Sequence, residues 1–286
     1  MLKTLLESNK KLALILIKTQ REVFSKIAGE NISKKRGEGY DFQELREYES
    51  GDDIRHIDWI ISAKTTKPYV KVFHQQKELN VVIVPFLCGS LHFGTKILKK
   101  DLLTQICALL SYSCVKQNNP FESYICSDTL FLCTQKTKQL FAVRRLLEKV
   151  DSFDVLGKTL DYSYSTQALY RQIQRKSILF LIGDFFDTHD LNLMALSLKH
   201  ELVLIIVRDR FEENPAELGE LHITDPALGM SAEISLNKKT LHSYRKKIVQ
   251  NDEMLYKKLQ TAGVRFVKIY TDEDPAEKII GLMEKT

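Results

Sequence analysis

Ile178-Leu179-Phe180-Leu181-Ile182, closed by Gly183-Asp184, and Leu202-Val203-Leu204-Ile205-Ile206-Val207 are two uninterrupted apolar runs of strand length. A strand that is apolar at every position has both faces buried, as in a parallel sheet covered by helices on each side. Working outward, Val81-Val82-Ile83-Val84 reads as the first strand, followed by a helix from Lys96 to Gln117 and a hairpin of Tyr124–Cys126 with Leu130–Leu132 about Ser127-Asp128. Helical spacing recurs near 136–150, 162–174 and 188–199, and after a loop from Asp209 to Asn237 it returns at 238–262 and 275–284, with Val264–Val267 as a strand between those two. Strands alternating with helices predict an α/β fold over residues 78–286, doubly wound, with a mainly parallel sheet and helices on both faces. Ligands of such sheets bind beyond the carboxyl ends of the strands where the order reverses, so a site is expected in the loops after Val84 and Ile182.

Residues 1–77 read differently. Leu2, Leu5, Leu6, Leu12, Leu16, Val23 and Ile27 fall at helical spacing and predict an amphipathic N-terminal helix ending at Gly29. From Lys34 to Lys77 the chain is dense in charge and without a clean period, an irregular segment with Val70–Phe73 as its strand. Here Arg46, Glu47, Asp52, Asp53, Arg55, Asp58 and the single tryptophan, Trp59, lie close together. Clustered carboxylates hold Mg²⁺ in nucleases, so Asp41, Glu44, Asp52, Asp53 and Asp58 form one candidate set for a metal-dependent hydrolase. The competing reading is a network in which the interleaved arginines neutralise the acids and brace the block against the larger domain. In that reading Arg46, Glu47, Asp53, Arg55, Asp58 and Trp59 position the block, and replacing Arg55 or Asp58 leaves a partner charge unpaired and destabilises the region, most strongly if the pair is buried.

The bulk composition excludes several classes. Hydrophobic residues at 44% and charged residues at 28%, with 6 Pro and 12 Gly, are values of a globular chain. The apolar run Leu12–Ile17 is too short to span a bilayer and has no cleavage pattern after it, so neither membrane insertion nor export is expected. Five cysteines (Cys88, Cys107, Cys114, Cys126, Cys133) without a CxxC pair suit a reduced, cytoplasmic protein better than a disulfide or zinc framework. A formal charge of +5 from 42 basic and 37 acidic residues is spread along the chain, which leaves nucleic-acid binding a minor alternative. Gly89-Ser90-Leu91-His92-Phe93-Gly94-Thr95-Lys96 opens a helix after a strand, but a phosphate-binding loop needs Gly-Lys-Ser/Thr and here Thr95 and Lys96 are reversed. Cys88, at a strand end beside a helix N-terminus, is a candidate for a lowered thiol pKa.

Arg36–Phe42 (RGEGYDF), Leu45–Lys64 (LREYESGDDIRHIDWIISAK), Ile182–Phe185 and Leu218–Gly229 resemble the bacterial family called domain of unknown function 58, often associated with MoxR-type AAA+ ATPases. The resemblance covers roughly 34 to 284 and implies a von Willebrand factor A-like fold, no established catalysis, and a role beside the ATPase in assembling other protein complexes. Such domains often carry a metal-ion-dependent adhesion site whose first loop reads Asp-x-Ser-x-Ser, with a Thr and an Asp from later loops. Carried onto this chain, those positions are Phe86, Cys88, Ser90, Thr159 and Asp184. With two first-loop oxygens replaced by phenyl and thiol, the expectation is a degenerate site with no metal, no cofactor and no enzyme activity, serving a protein partner.

Overall fold

The computed structural model describes residues 41–74 and 80–283, with side chains from 45 to 71 and from 80 to 283. The N-terminal helix expected over 2–28 lies outside the described residues. Two units are separable, one within 26–78 and one holding the rest of the described chain.

In the smaller unit β1 (Asp41–Glu47) pairs antiparallel with β2 (Tyr69–His74), with a register shift between Phe42 and Glu44. Between them lie a 3₁₀ turn at Ile54–His56 and helix α1 (Trp59–Thr65). The expectation of an irregular segment with one strand is thus corrected. A two-stranded sheet leaves most side chains partly wet, so β1 shows no alternation of apolar and polar residues for a sequence pattern to display.

The larger unit is mixed α/β with a mainly parallel central sheet. Its strands are β3 (Val81–Pro85), β4 (Phe121–Cys126), β5 (Leu130–Thr137), β6 (Ile178–Gly183), β7 (Glu201–Arg208) and β10 (Arg265–Tyr270). They stand in the order β10-β7-β6-β3-β4-β5, with β5 alone antiparallel to its neighbour. The central runs are apolar throughout because each face has its own core. Ile83, Phe180, Ile182, Val203 and Ile205 pack with helices α2 (Lys99–Lys116), α3 (Leu140–Ser152) and α8 (Pro275–Met283). Val82, Val84, Leu179, Leu181, Leu202 and Leu204 face α4 (Tyr162–Gln172), α5 (Met194–Lys199) and α7 (Lys238–Thr261) on the other side.

Two further expectations are corrected here. The helix read over 188–199 starts only at Met194, because Asp190 turns away to accept the N–H groups of Tyr162 and Ser163 at 3.0 and 3.2 Å, satisfying the first turn of α4. The loop read from Asp209 to Asn237 contains α6 (Arg210–Glu213) and a hairpin of β8 (Gly219–Thr224) and β9 (Ser231–Leu236). Asp225 closes its turn by accepting from Ala227 N at 2.7 Å, and Gly229 adopts φ +68°. Both strands are largely exposed, so no buried face stamps a period on the sequence.

Leu204 is fully buried between β6, β10 and α7, and Leu204→Ala is expected to cost about 2–5 kcal/mol by leaving a cavity. Chemical denaturation with unchanged slope checks it.

Candidate functional site

At the carboxyl ends of β3 and β6 the chain turns away in opposite directions, since β4 flanks β3 on one side and β6 on the other. Phe86 continues β3 by donating its N–H to Ile182 O at 2.8 Å, and Leu87 donates to Cys126 O at 2.7 Å. Its ring is fully buried and meets Phe185 and Tyr162 at centroid distances of 5.4 and 5.9 Å. Cys88 Sγ and Ser90 Oγ are 3.0 Å apart. Either atom can serve as the donor of that contact. Burial and the Asp184 charge push the Cys88 thiol up to about 12, which overturns the expectation of an activated cysteine. Thr159 is exposed, in a loop whose Lys158 carbonyl accepts from Gly89 N at 2.9 Å.

Asp184 is 3% exposed, and its counter-charge is a lysine. Lys99, the first residue of α2 and fully buried, places Nζ 3.3 Å from Asp184 Oδ2 and 2.5 Å from Glu212 Oε1. Burial works to raise the Asp184 pKa, but the charges of Lys99 and Arg208, with the Ser90 hydroxyl, outweigh it and hold the carboxyl below its ordinary value. Glu212 goes the other way: its burial outweighs the pull of Lys99 and pushes its pKa up. A single ammonium therefore neutralises Asp184 first and shares itself with Glu212.

Arg208, 1% exposed at the end of β7, completes the cluster. It donates to the carbonyl oxygens of Asp184 and Phe185, the latter at 3.2 Å, and pairs with Asp252 at 3.3 Å and Glu213 at 3.6 Å. Phe185 sits at φ +47°, a left-handed backbone that a bulky residue adopts only under constraint, and these two bonds supply the constraint. Asp209, fully buried, accepts from Thr95 N at 2.8 Å, Thr95 Oγ1 at 2.9 Å and Thr271 Oγ1 at 2.5 Å. Within the Gly89–Lys96 loop, both donors of Thr95 are thereby committed to an internal carboxylate. Sequence reasoning missed Lys99, Arg208, Asp209 and Glu212; the one available signal was a charged residue ending the apolar run of β7.

The hairpin turn closes over this end of the sheet. Gly157 N donates to Pro226 O at 2.9 Å, and a Cβ added to Gly89 would lie 2.5 Å from the Ala227 backbone. Only glycine permits that approach.

The charged block of the small unit is satisfied locally. Arg46 Nη2 reaches Asp52 at 2.6 Å, Lys67 reaches Glu47 at 2.8 Å, and Arg55 chelates Asp53 with contacts of 2.6–3.1 Å. Asp58 caps α1 through the N–H groups of Ile60 and Ile61 at 3.0 and 3.1 Å and binds Lys71 at 3.0 Å. The hydrogen bonds of Arg55 and Lys71 hold Asp53 and Asp58 below the usual carboxylate range. Arg55, 87% exposed, pairs with Asp53 at the surface, while Asp58, 12% exposed, pairs with Lys71. Trp59, Ile54 and Ile60 are 67%, 61% and 72% exposed. Among the described residues no group of three or more His, Cys, Asp or Glu could hold a metal ion, and no helix is long and apolar enough to cross a membrane.

The family described as Protein of unknown function DUF58 matches residues 44–254, a span that takes in both the charged block and the Lys99–Asp184 cluster. The chain belongs to this family. Among similar proteins, the uncharacterized proteins Rv1480 of Mycobacterium tuberculosis (strain ATCC 25618 / H37Rv) and Mb1516 of Mycobacterium bovis are each 23% identical over 251 residues, 86% of this chain and 79% of theirs. Among solved structures, the conserved hypothetical protein BatB from Bacteroides thetaiotaomicron is similar with TM-score 0.46 and 11% identity, over 72% of this chain and 98% of that one. An aerotolerance-related membrane protein from Bacteroides fragilis NCTC 9343 is similar with TM-score 0.47 and 11% identity, over 73% and 100%.

Lys99→Met leaves Asp184 buried without its nearest counter-charge and is expected to cost about 3–5 kcal/mol. Arg55→Ala, at the surface, is expected to leave the melting transition in place; scanning calorimetry of the two variants measures the contrast. Because the folded-state pKa of Asp184 is depressed, its stabilisation is present above the ordinary value of 3.8 and is lost as pH falls through the folded value. Denaturation as a function of pH should show that acid loss in the wild type, and a shallower loss in Asp184→Asn.

Proposed function

We propose that this DUF58 chain is a non-enzymatic protein-binding factor built on a doubly wound, von Willebrand factor A-like domain, acting in the cytoplasm with a MoxR-type AAA+ ATPase in the maturation of other protein complexes. The strand order, with one antiparallel edge strand and a reversal between β3 and β6, supports that fold assignment. Phe86, Cys88, Ser90, Thr159 and Asp184 are then a degenerate adhesion site. The lysine ammonium supplies the positive charge that a divalent cation supplies in an intact one, so Asp184 is neutral in sum without metal.

The observation that carries the binding role is the exposure of Trp59 with Ile54 and Ile60 on a unit whose charges are paired among themselves. Exposed aromatic and aliphatic anchors ringed by satisfied polar groups are the pattern of interaction hot spots. The hydrolase alternative is less well supported: Asp52, Asp53 and Asp58 each hold a separate cation or helix end and do not converge.

The test is co-purification of the tagged chain with the MoxR-type ATPase of its own source cell, alongside Mg²⁺ titration calorimetry. ATPase recovery that Trp59→Ala abolishes, with no Mg²⁺ heat, is expected. Mg²⁺ binding with phosphodiester turnover would establish the hydrolase instead. Phe86→Asp with Cys88→Ser is expected to unfold the strand-end loop rather than create a metal site, since the carboxylate would enter an aromatic cluster; loss of near-UV circular dichroism reports it.

A further inference from the structure

The sheet of the larger unit ends at β5, and that edge combines three properties that point to one kind of occupant. It runs 8 residues without proline, with two register shifts against β4, and its outer side has no strand partner among the described residues. Natural edges are usually shortened, covered or interrupted, because a row of unpaired N–H and C=O groups recruits another strand. Next to it lies a groove of about 510 Å³ between the outer half of β5 and the first turns of α3, lined by Leu132, Thr134, Lys136, Phe141 and Arg145 among others.

The lining is apolar and basic together. Leu132, Leu140 and Phe141 are 41%, 48% and 61% exposed, and the remaining exposed positions of α3 include Arg144, Arg145 and Lys149 against Glu148. Arg145 and Lys149 are close enough to act electrostatically on Cys133 within the strand, so their charge bears on the edge itself. Their field favours carboxylates in whatever pairs there.

We propose that β5 and the α3 groove receive an extended segment of a protein partner, added as a further strand, with apolar side chains toward Leu132 and Phe141 and carboxylates toward Arg145. This rests on the protein-binding reading above but assigns a different surface from Trp59. Main-chain hydrogen bonds to the edge supply affinity, and alternate side chains supply selection. A second copy of this chain is disfavoured, since edge-to-edge pairing brings two positively charged grooves together. Nucleic acid would meet the charge but has no peptide groups for the strand edge, and Phe131 is already stacked on Phe153 at 6.3 Å and 19°.

The probe is a synthetic peptide of the strand's own length, 8 residues, alternating glutamate and valine, with a lysine–valine peptide as control. The glutamate peptide should bind the full chain, slow amide exchange across 131–137, and weaken as salt rises. Arg145→Glu, at an exposed helix position where folding is unaffected, should weaken it about tenfold or more. Phe141→Ser should weaken it without altering the salt dependence. Equal binding of the lysine peptide, preference for single-stranded DNA, protection in the free monomer of those amides of 131–137 that point away from β4, or protection that appears only with dimerisation in ultracentrifugation would each overturn the assignment. Failure here with intact ATPase co-purification removes the edge site alone; failure of co-purification with peptide binding intact removes the ATPase.

Discussion

A lysine ammonium with no solvent exposure must recover several kcal/mol of lost hydration from its neighbours, and the carboxyl end of the sheet is arranged around that requirement. Lys99 enters from the first turn of α2, Asp184 from the end of β6 and Glu212 from α6, so three separate stretches of chain converge on one charge. Arg208 does the same from β7, tying the carbonyls that follow β6 to Asp252 on α7. The left-handed Phe185, the aromatic cluster with Phe86 and Tyr162, and the closure of the Gly89 loop by the hairpin turn all sit on this base.

The two units use the same residue types under opposite conditions. In the small unit, arginine–carboxylate pairs lie at the surface between near neighbours in sequence, where they set loop shape and add little stability. In the large unit the pairs are buried and bridge residues such as 99 with 184 and 208 with 252, where removing one partner strands the other. Apolar residues invert in the same way: the small unit turns Trp59 and Ile60 outward, while the large unit encloses Phe86 and Phe185. The density of charge in the signature block is therefore a poor guide to where electrostatics matter most.

The central strands were readable because burial on both faces leaves an unbroken apolar record, as in Ile178–Ile182 and Leu202–Val207. Elements with wet faces left no such record: β1, β8 and β9 carry charged and polar residues at positions facing solvent, and pairing with a partner strand is a non-local event. The helix expected over 188–199 starts later, at Met194, because Asp190 has a partner in another helix, information absent from local spacing.

For the candidate site the division is similar. Sequence alone established the family block and the apolar sheet, because each is a matter of residue identity at a position. What surrounds Asp184 was decided only by the tertiary structure. Lys99 lies 85 residues from Asp184 in the chain, and nothing in local periodicity distinguishes it from the exposed lysines around it. Folding brings the start of α2 over the end of β6, and in that dry position the attraction of opposite charges pairs Lys99 with Asp184.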